Sequence, residues 1–150
     1  MTGGSPELTK NQKAVLEALE HTSKAMTAYD ILDVVRVQGI RAPVQVYRAL
    51  EVLIERTLVH RIESMNAFIA CAHEHAAGAG HDHDHTATIA FAICDDCGSV
   101  SEIPAPKASR TLGALAGDQG FVTERTVVEL RGHCGPCRES VQDTPKADAG

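Results

Sequence analysis

Apolar residues recur at helical intervals in three segments of the first third of the chain. Threonine favours the N-cap of a helix and proline its first turn, so we expect these helices to begin at Thr9, Thr27 and Pro43. Gly39 is expected to end the second helix. The apolar positions predicted to face one core are Val15, Leu16 and Leu19, then Ile31, Leu32, Val34 and Val35, then Val46, Leu50, Leu53 and Ile54.

From Leu58 the pattern changes to alternation of apolar and polar residues. The alternating run reaches Glu63, and a second extended run follows from Ala67 to Cys71. This pattern predicts a β-hairpin with its turn at residues 64–66. Three helices followed by a hairpin are the arrangement of a winged helix, in which the last helix enters the major groove of DNA. Residues 1–71 are therefore predicted to form a winged-helix DNA-binding domain.

The rest of the chain has a different organisation. Residues 72–86 are rich in alanine, glycine and histidine and predict a His-rich linker, because such residues cannot build a core. Strand patterns at 88–94, 99–103 and 123–131, with a helical pattern at 106–116, predict a small α/β unit over residues 87–140. Residues 141–150 are expected to form a disordered tail. The predicted fold class is α+β.

Length and charge limit the possible functions only in part. The chain has 150 residues, and no apolar run approaches the roughly 18 residues that a membrane span needs. Its first nine residues lack the features of a secretory signal, so we expect a cytoplasmic protein without a membrane partner. Residues 1–70 hold eight basic and eight acidic side chains, whereas residues 71–150 hold six and twelve. Local clustering matters for DNA binding, so charge alone does not decide it.

The side of the third predicted helix that faces away from its apolar stripe is a candidate DNA-binding surface. Arginine can contact phosphate or guanine, and tyrosine can contact phosphate or a thymine methyl group. A solvated helix face is the alternative interpretation of the same residues. The candidates are Gln45, Tyr47, Arg48 and Glu51 on the helix, Arg41 before it and Arg56 at its end.

Four of the five cysteines form two pairs, Cys94 with Cys97 and Cys134 with Cys137. In a reducing compartment such pairs indicate metal binding rather than disulfides. Each pair can chelate through a turn, and four thiolates suit tetrahedral zinc with bonds of about 2.3 Å. The gap between the pairs exceeds that of a compact zinc ribbon. We therefore predict a structural zinc that joins the end of the α/β unit to its beginning.

The segment Cys134-Gly-Pro-Cys137 is also the motif of thioredoxin-like oxidoreductases. Such a site needs a βαβ fold downstream of its nucleophilic thiolate. Only 13 residues follow Cys137, and they include Pro145. Since no nucleophile and base pair is evident either, we do not predict an enzyme.

A second, looser group of candidate ligands comprises His60, Cys71, His85 and Glu102. Nitrogen, sulfur and oxygen ligands together suit an adjustable zinc site. Each residue also has an ordinary structural interpretation, because His60 and Cys71 could be core residues and Glu102 a solvated strand residue. The histidines at 81, 83 and 85 could be a flexible tail that scavenges metal. The residues alone leave both interpretations open.

The segment from Leu8 to Arg138 resembles the ferric-uptake-regulator family. Two of its segments, Val59-His-Arg-Ile-Glu-Ser64 and Cys97-Gly-Ser-Val-Ser-Glu102, are most similar to the zinc-uptake-regulator branch. The motifs that carry the wider resemblance are Leu-Thr-x-x-Gln at 8–12, Ala28-Tyr-Asp-Ile-Leu32, Val46-Tyr-Arg-Ala-Leu50 and Cys94-x-x-Cys-Gly98.

The resemblance implies a zinc-loaded homodimeric repressor of zinc-uptake genes that binds double-stranded DNA and carries two zinc ions per chain. It implies that the unit at 87–140 dimerises, that Tyr47 and Arg48 contact DNA, and that Gln45 stands where relatives carry serine or threonine. With Arg41, these residues form the predicted DNA contacts. The implied structural zinc ligands are Cys94, Cys97, Cys134 and Cys137, and the implied regulatory ligands are His60, Cys71, His85 and Glu102.

Two alternatives stay open. The sensed signal could be iron, manganese or peroxide, although the thiolate of Cys71 favours zinc over harder metals. The chain could instead be a zinc storage or chaperone protein that does not bind DNA, or a small zinc enzyme.

Overall fold

The structure is a computed structural model that describes residues 7–72 and 88–142, in two compact units. Both helices and strands are present, as the predicted α+β class requires. The first unit contains α1 (Lys10–Glu20), α2 (Ala28–Val35), α3 (Pro43–Glu55), β1 (Val59–Ile62) and β2 (Ala67–Ala70). The second contains β3 (Ile89–Cys94), β4 (Val100–Pro104), α4 (Pro106–Asp118), β5 (Val128–Gly132) and α5 (Gly135–Gln142).

The first two helices begin at the predicted threonine caps. The Thr9 hydroxyl accepts from the N–H of Gln12, whose side chain accepts in return from the N–H of Thr9. Thr27 and Asp30 make the same reciprocal pair at the start of α2. Each cap satisfies N–H groups that the helix itself leaves unpaired, which stabilises it by about 1 kcal/mol.

The helices of the first unit pack around one core, but two predicted core positions are wrong. Val34 is 48% exposed and Ile54 is 39% exposed. Each lies one residue outside the stripe that its helix buries, since Val35 and Leu53 occupy the core-facing positions. The stripes also contain alanines that the apolar pattern did not single out, at Ala14, Ala28 and Ala49.

The predicted hairpin is present and is attached to the helices. β1 and β2 pair antiparallel from Val59↔Ala70 to Ile62↔Ala67. The turn passes through Asn66 with a φ of 46°, a left-handed conformation that asparagine tolerates. Phe68 exchanges two backbone hydrogen bonds with Met26, in the segment before α2. Three helices followed by this hairpin form a winged helix.

The second unit is a three-stranded sheet in the order β4-β3-β5, with two helices. β3 pairs antiparallel with β4 and parallel with β5. The strand predicted at 123–131 is too long at its start, because β5 begins at Val128. β3 begins at Ile89, and its pairing with β5 starts at Ala90↔Val128, so the earlier residues have no strand partner in this sheet.

α5 was not predicted from the sequence. Its opening Gly135-Pro136 contains a helix-start signal, since proline is favoured in a first turn, but the same two residues are the spacer of a cysteine pair. α5 extends to Gln142, so the predicted tail at 141–150 starts too early. The rest of that tail, and the predicted linker beyond Ala72, lie outside the described residues. Among the helices of the described ranges, none combines the length and the hydropathy of a membrane span.

Candidate metal centre and nucleic-acid interface

The two cysteine pairs meet at one edge of the sheet in the second unit. β3 ends at Cys94, which pairs in register with Gly132 at the end of β5. Because the strands are parallel, their carboxyl ends lie side by side, and the segments that follow carry the remaining ligands. Cys97 lies in the turn after β3, and Cys134 and Cys137 lie at the start of α5. All four sulfur atoms lie within 4.8 Å of one another.

The spacing of the sulfur atoms fits tetrahedral zinc. The Sγ atoms of Cys97 and Cys134 are 3.8 Å apart. Four zinc–sulfur bonds of about 2.3 Å in tetrahedral geometry place neighbouring sulfurs about 3.8 Å apart. A disulfide would need a separation of about 2.0 Å, and none of the five cysteines forms one. The donor set therefore matches a closed structural zinc site.

Hydrogen bonds lower the pKa values of the first pair of thiols, Cys94 and Cys97. Backbone N–H groups, chiefly those of Cys97 and Cys134, point at the Cys94 sulfur and lower its pKa to about 6. The Cys97 sulfur is hydrogen-bonded to the Ser99 hydroxyl at 3.1 Å, which lowers the pKa of Cys97. Both effects favour the thiolate, because an N–H or O–H group stabilises the charged form that it contacts.

The fourth cysteine lies among the other three thiols. Hydrogen bonding with the Cys134 thiol, together with burial, raises the pKa of Cys137 to about 12. A bound divalent cation deprotonates the thiols that coordinate it, so the four cysteines would hold zinc as thiolates.

The residues next to the cysteines form contacts that were not identified from the sequence. The Asp95 carboxylate accepts from Nε of Arg131 at 3.0 Å and from Nη2 at 2.6 Å. Nδ1 of His133 lies 2.8 Å from the carboxylate of Asp96. The Asp95 N–H also donates to the Gly132 carbonyl at 2.8 Å. The only signal in the sequence is two acids between the cysteines of one pair and two basic residues just before the other.

The candidate regulatory ligands are divided between the two units. His60 lies on β1 opposite Ile69, and Cys71 follows β2, with its N–H bound to the Leu58 carbonyl. Both side chains are half-buried, and their ligand atoms lie within 4.8 Å of each other. Glu102 lies on β4 of the second unit, opposite Phe91. His85, like His81 and His83, lies outside the described residues.

The outward face of α3 carries the predicted DNA-contacting residues. Val44 and Tyr47 are 52% and 41% exposed, and Arg48 and Glu51 are exposed beside them. These positions follow one another at intervals of three, one and three residues, so they share one face of the helix. The exposed Arg41 precedes the helix. α3 therefore exposes a tyrosine and an arginine together on the face opposite its buried stripe.

Gln45 has a structural role that the sequence did not reveal. The residue before α3 is Ala42, which has no side-chain acceptor for the first N–H groups. The Gln45 side-chain oxygen makes the other half of a capping box and accepts from the N–H groups of the two residues that precede the helix, Arg41 at 2.9 Å and Ala42 at 3.0 Å. Its oxygen is thus bound to its own helix terminus, while the amide nitrogen is the part that can donate to DNA.

Comparisons with known proteins cover both units. The sequence pattern described as the ferric uptake regulator family matches residues 5–131. The zinc uptake regulation protein of Escherichia coli (strain K12) is 37% identical over 133 residues, which are 88% of this chain and 73% of that protein. A solved zinc uptake regulator complexed with zinc and DNA has a TM-score of 0.78 at 33% identity, covering 91% of this chain and 86% of its own. Holo XcZur has a TM-score of 0.75 at 34% identity, covering 91% and 89%.

Proposed function

Because this chain belongs to the ferric uptake regulator family, we propose that it is a zinc-responsive transcriptional repressor that binds operator DNA as a homodimer when zinc-loaded and so controls zinc-uptake genes. The observation that carries this function is the 37% identity, across both units, to a protein named for zinc uptake regulation. The similar solved structure that holds zinc and DNA together supports it.

The first zinc of this function is structural and is held by Cys94, Cys97, Cys134 and Cys137. The metal would supply a cross-link between the turn after β3 and the start of α5. The second unit needs such a link, since few of its apolar side chains within residues 88–140 are buried. Folding and zinc binding of this unit are therefore coupled.

DNA binding is assigned to the outward face of α3. Tyr47 and Arg48 contact the DNA, with Arg41 and Gln45 at the start of the helix. Arg48 can bind phosphate or guanine through two N–H groups, and the tyrosine hydroxyl can donate to phosphate. Glu51 lies on the same face and repels phosphate, so it adds to selectivity rather than to affinity.

Dimerisation is assigned to the second unit. None of the α4 residues is buried, and its Leu112 and Leu115 are 48% and 59% exposed. Ile103 on β4 and Leu130 on β5 are also largely exposed. A second copy of the chain would cover this apolar surface, and a two-fold axis would then present two recognition helices to a palindromic site.

The regulatory step is assigned to a second zinc held by His60, Cys71, His85 and Glu102. Its ligands come from both units, so binding would restrict the freedom of the winged helix relative to the dimerising unit. Zinc and DNA then favour each other's binding by the same free energy. A 100-fold gain in DNA affinity corresponds to about 2.7 kcal/mol of coupling, which a few coordination bonds supply.

The test is a DNA-binding titration with the full chain as a dimer. The zinc-loaded protein first selects labelled DNA duplexes from a random pool. These duplexes are then titrated with protein over a buffered zinc series. The salt concentration is fixed, because phosphate contacts make DNA affinity steeply salt-dependent. We expect a gain of about 100-fold on zinc loading. A larger gain with iron(II) or manganese(II) than with zinc would contradict the zinc response. Absence of binding with every metal would contradict the regulator function and favour zinc storage.

A further inference from the structure

Two acidic residues connect the two halves of the cysteine centre. Asp95 and Asp96 are the residues between Cys94 and Cys97. Asp95 binds the guanidinium of Arg131, and Asp96 binds the ring of His133. Arg131 and His133 are the residues that lead into Cys134. The spacer of one cysteine pair is therefore tied, side chain to side chain, to the segment that positions the other pair.

The backbone adds to this connection. The last paired residues of β3 and β5 are Cys94 and Gly132. Asp95, the next residue after β3, donates its N–H to the Gly132 carbonyl at 2.8 Å. The Cys134 N–H in turn donates to the Cys94 sulfur at 3.4 Å. Side-chain contacts and backbone hydrogen bonds thus both join the loop after β3 to the segment before α5.

We infer that Asp95 and Asp96 are positioning residues of the cysteine centre, which hold the two cysteine loops together through Arg131 and His133 and thereby slow the release of zinc. The inference rests on the proposed structural zinc. Loss of the ion requires the pair after β3 to move away from the pair at α5, and both side-chain contacts oppose that movement. Groups around metal ligands that fix their orientation commonly change metal affinity by about 10- to 100-fold.

The expected effect is on zinc release and not on the fold. All four side chains of the two contacts are 40–54% exposed, and exposed ion pairs add little to global stability. Local opening of the two loops is a smaller event than unfolding, so the contacts form a larger part of its barrier. We expect each contact to slow release by about 3- to 10-fold.

The experiment measures the rate at which a chromophoric chelator removes zinc from the purified full-length dimer, with metal content determined first. Asp95→Ala removes one contact, and Asp96→Ala removes the other, because alanine has no acceptor. The double variant Asp95→Ala/Arg131→Ala removes the first contact without changing the net charge. Asp118→Ala, at the exposed end of α4, is the control for loss of one acid in the same unit. Cobalt(II) substitution reports whether four thiolates still coordinate.

We expect both single variants and the charge-neutral double variant to release zinc about 3- to 10-fold faster than wild type. This result supports the inference, provided that the cobalt spectrum and the melting temperature match those of wild type. Wild-type release from the double variant overturns it, because charge alone would then explain the single variants. A changed cobalt spectrum or a lower melting temperature also overturns it, since the acids would then support the fold. Wild-type protein without about one tightly held zinc per chain would instead contradict the proposed structural zinc.

Discussion

Two replacements of Gln45 are expected to change the stability of the first unit and its DNA affinity in different ways. The reason is that the Gln45 side chain makes hydrogen bonds at the start of α3, the helix that is expected to contact DNA. Gln45→Ala leaves the N–H groups of Arg41 and Ala42 without the acceptor that lies 2.9 and 3.0 Å from them. Because these hydrogen bonds are exposed or only partly buried, we expect their loss to cost about 0.5–1.5 kcal/mol. For a unit of this size, each 1 kcal/mol lowers the melting temperature by about 4–8 °C.

Gln45→Glu should have the opposite effect on stability. A carboxylate retains the acceptor and adds a negative charge at the positive end of the helix dipole, which contributes about 0.3–1 kcal/mol. The same charge repels the phosphates that α3 is expected to approach, so DNA affinity should fall by about 10-fold or more at low salt. Gln45→Ala, by contrast, should lose only the amide donor to DNA, about 0.5–1.5 kcal/mol of binding free energy that salt changes little, at temperatures where it stays folded.

The assay pairs thermal unfolding, followed by circular dichroism, with anisotropy of labelled operator DNA at two salt concentrations. The salt dependence identifies the phosphate repulsion, because screening should restore much of the affinity of Gln45→Glu. Equal melting temperatures for Gln45→Ala and wild type would refute the capping role. A Gln45→Glu protein that melts below Gln45→Ala would refute the electrostatic argument.

Three further predictions concern the cysteine centre, the coupling of zinc to DNA binding, and the backbone conformation of one residue after α3. Cys137→Ser should lose tightly held zinc and destabilise the second unit, as metal analysis and unfolding would show, and a variant with wild-type melting would contradict a structural role. Cys71→Ser should keep that zinc yet lose most of the zinc-dependent gain in DNA affinity, whereas Arg48→Ala should bind DNA weakly with unchanged zinc content. Thr57→Gly should raise the free energy of unfolding by about 0.5–1 kcal/mol in denaturant titrations, because Thr57 has a φ of 59° that glycine adopts without strain.

Local features of the sequence determined much of the first unit. The caps at Thr9 and Thr27, the start of α3 at Pro43 and the hairpin turn before Ala67 depend on residues within four positions of one another, so they are visible in the chain itself. The cysteine pairs are local in the same sense, because two thiols separated by two residues chelate through a single turn. These features predicted the winged helix, the structural zinc ligands and the family.

Only the tertiary structure decided how distant segments meet. The parallel pairing of β3 with β5 places Cys94 beside Gly132, and no residue near either cysteine pair specifies that register. The same pairing sets where β5 begins and brings Asp95 to Arg131. The contact made by Gln45 also escaped the sequence, because Ala42 is not a capping residue and so the segment lacks the Ser/Thr-x-x-Glu/Gln pattern that identifies a capping box. The conformational preferences of neighbouring residues determine where helices, strands and turns form. Strand register and loop contacts, in contrast, depend on packing between residues far apart in the chain.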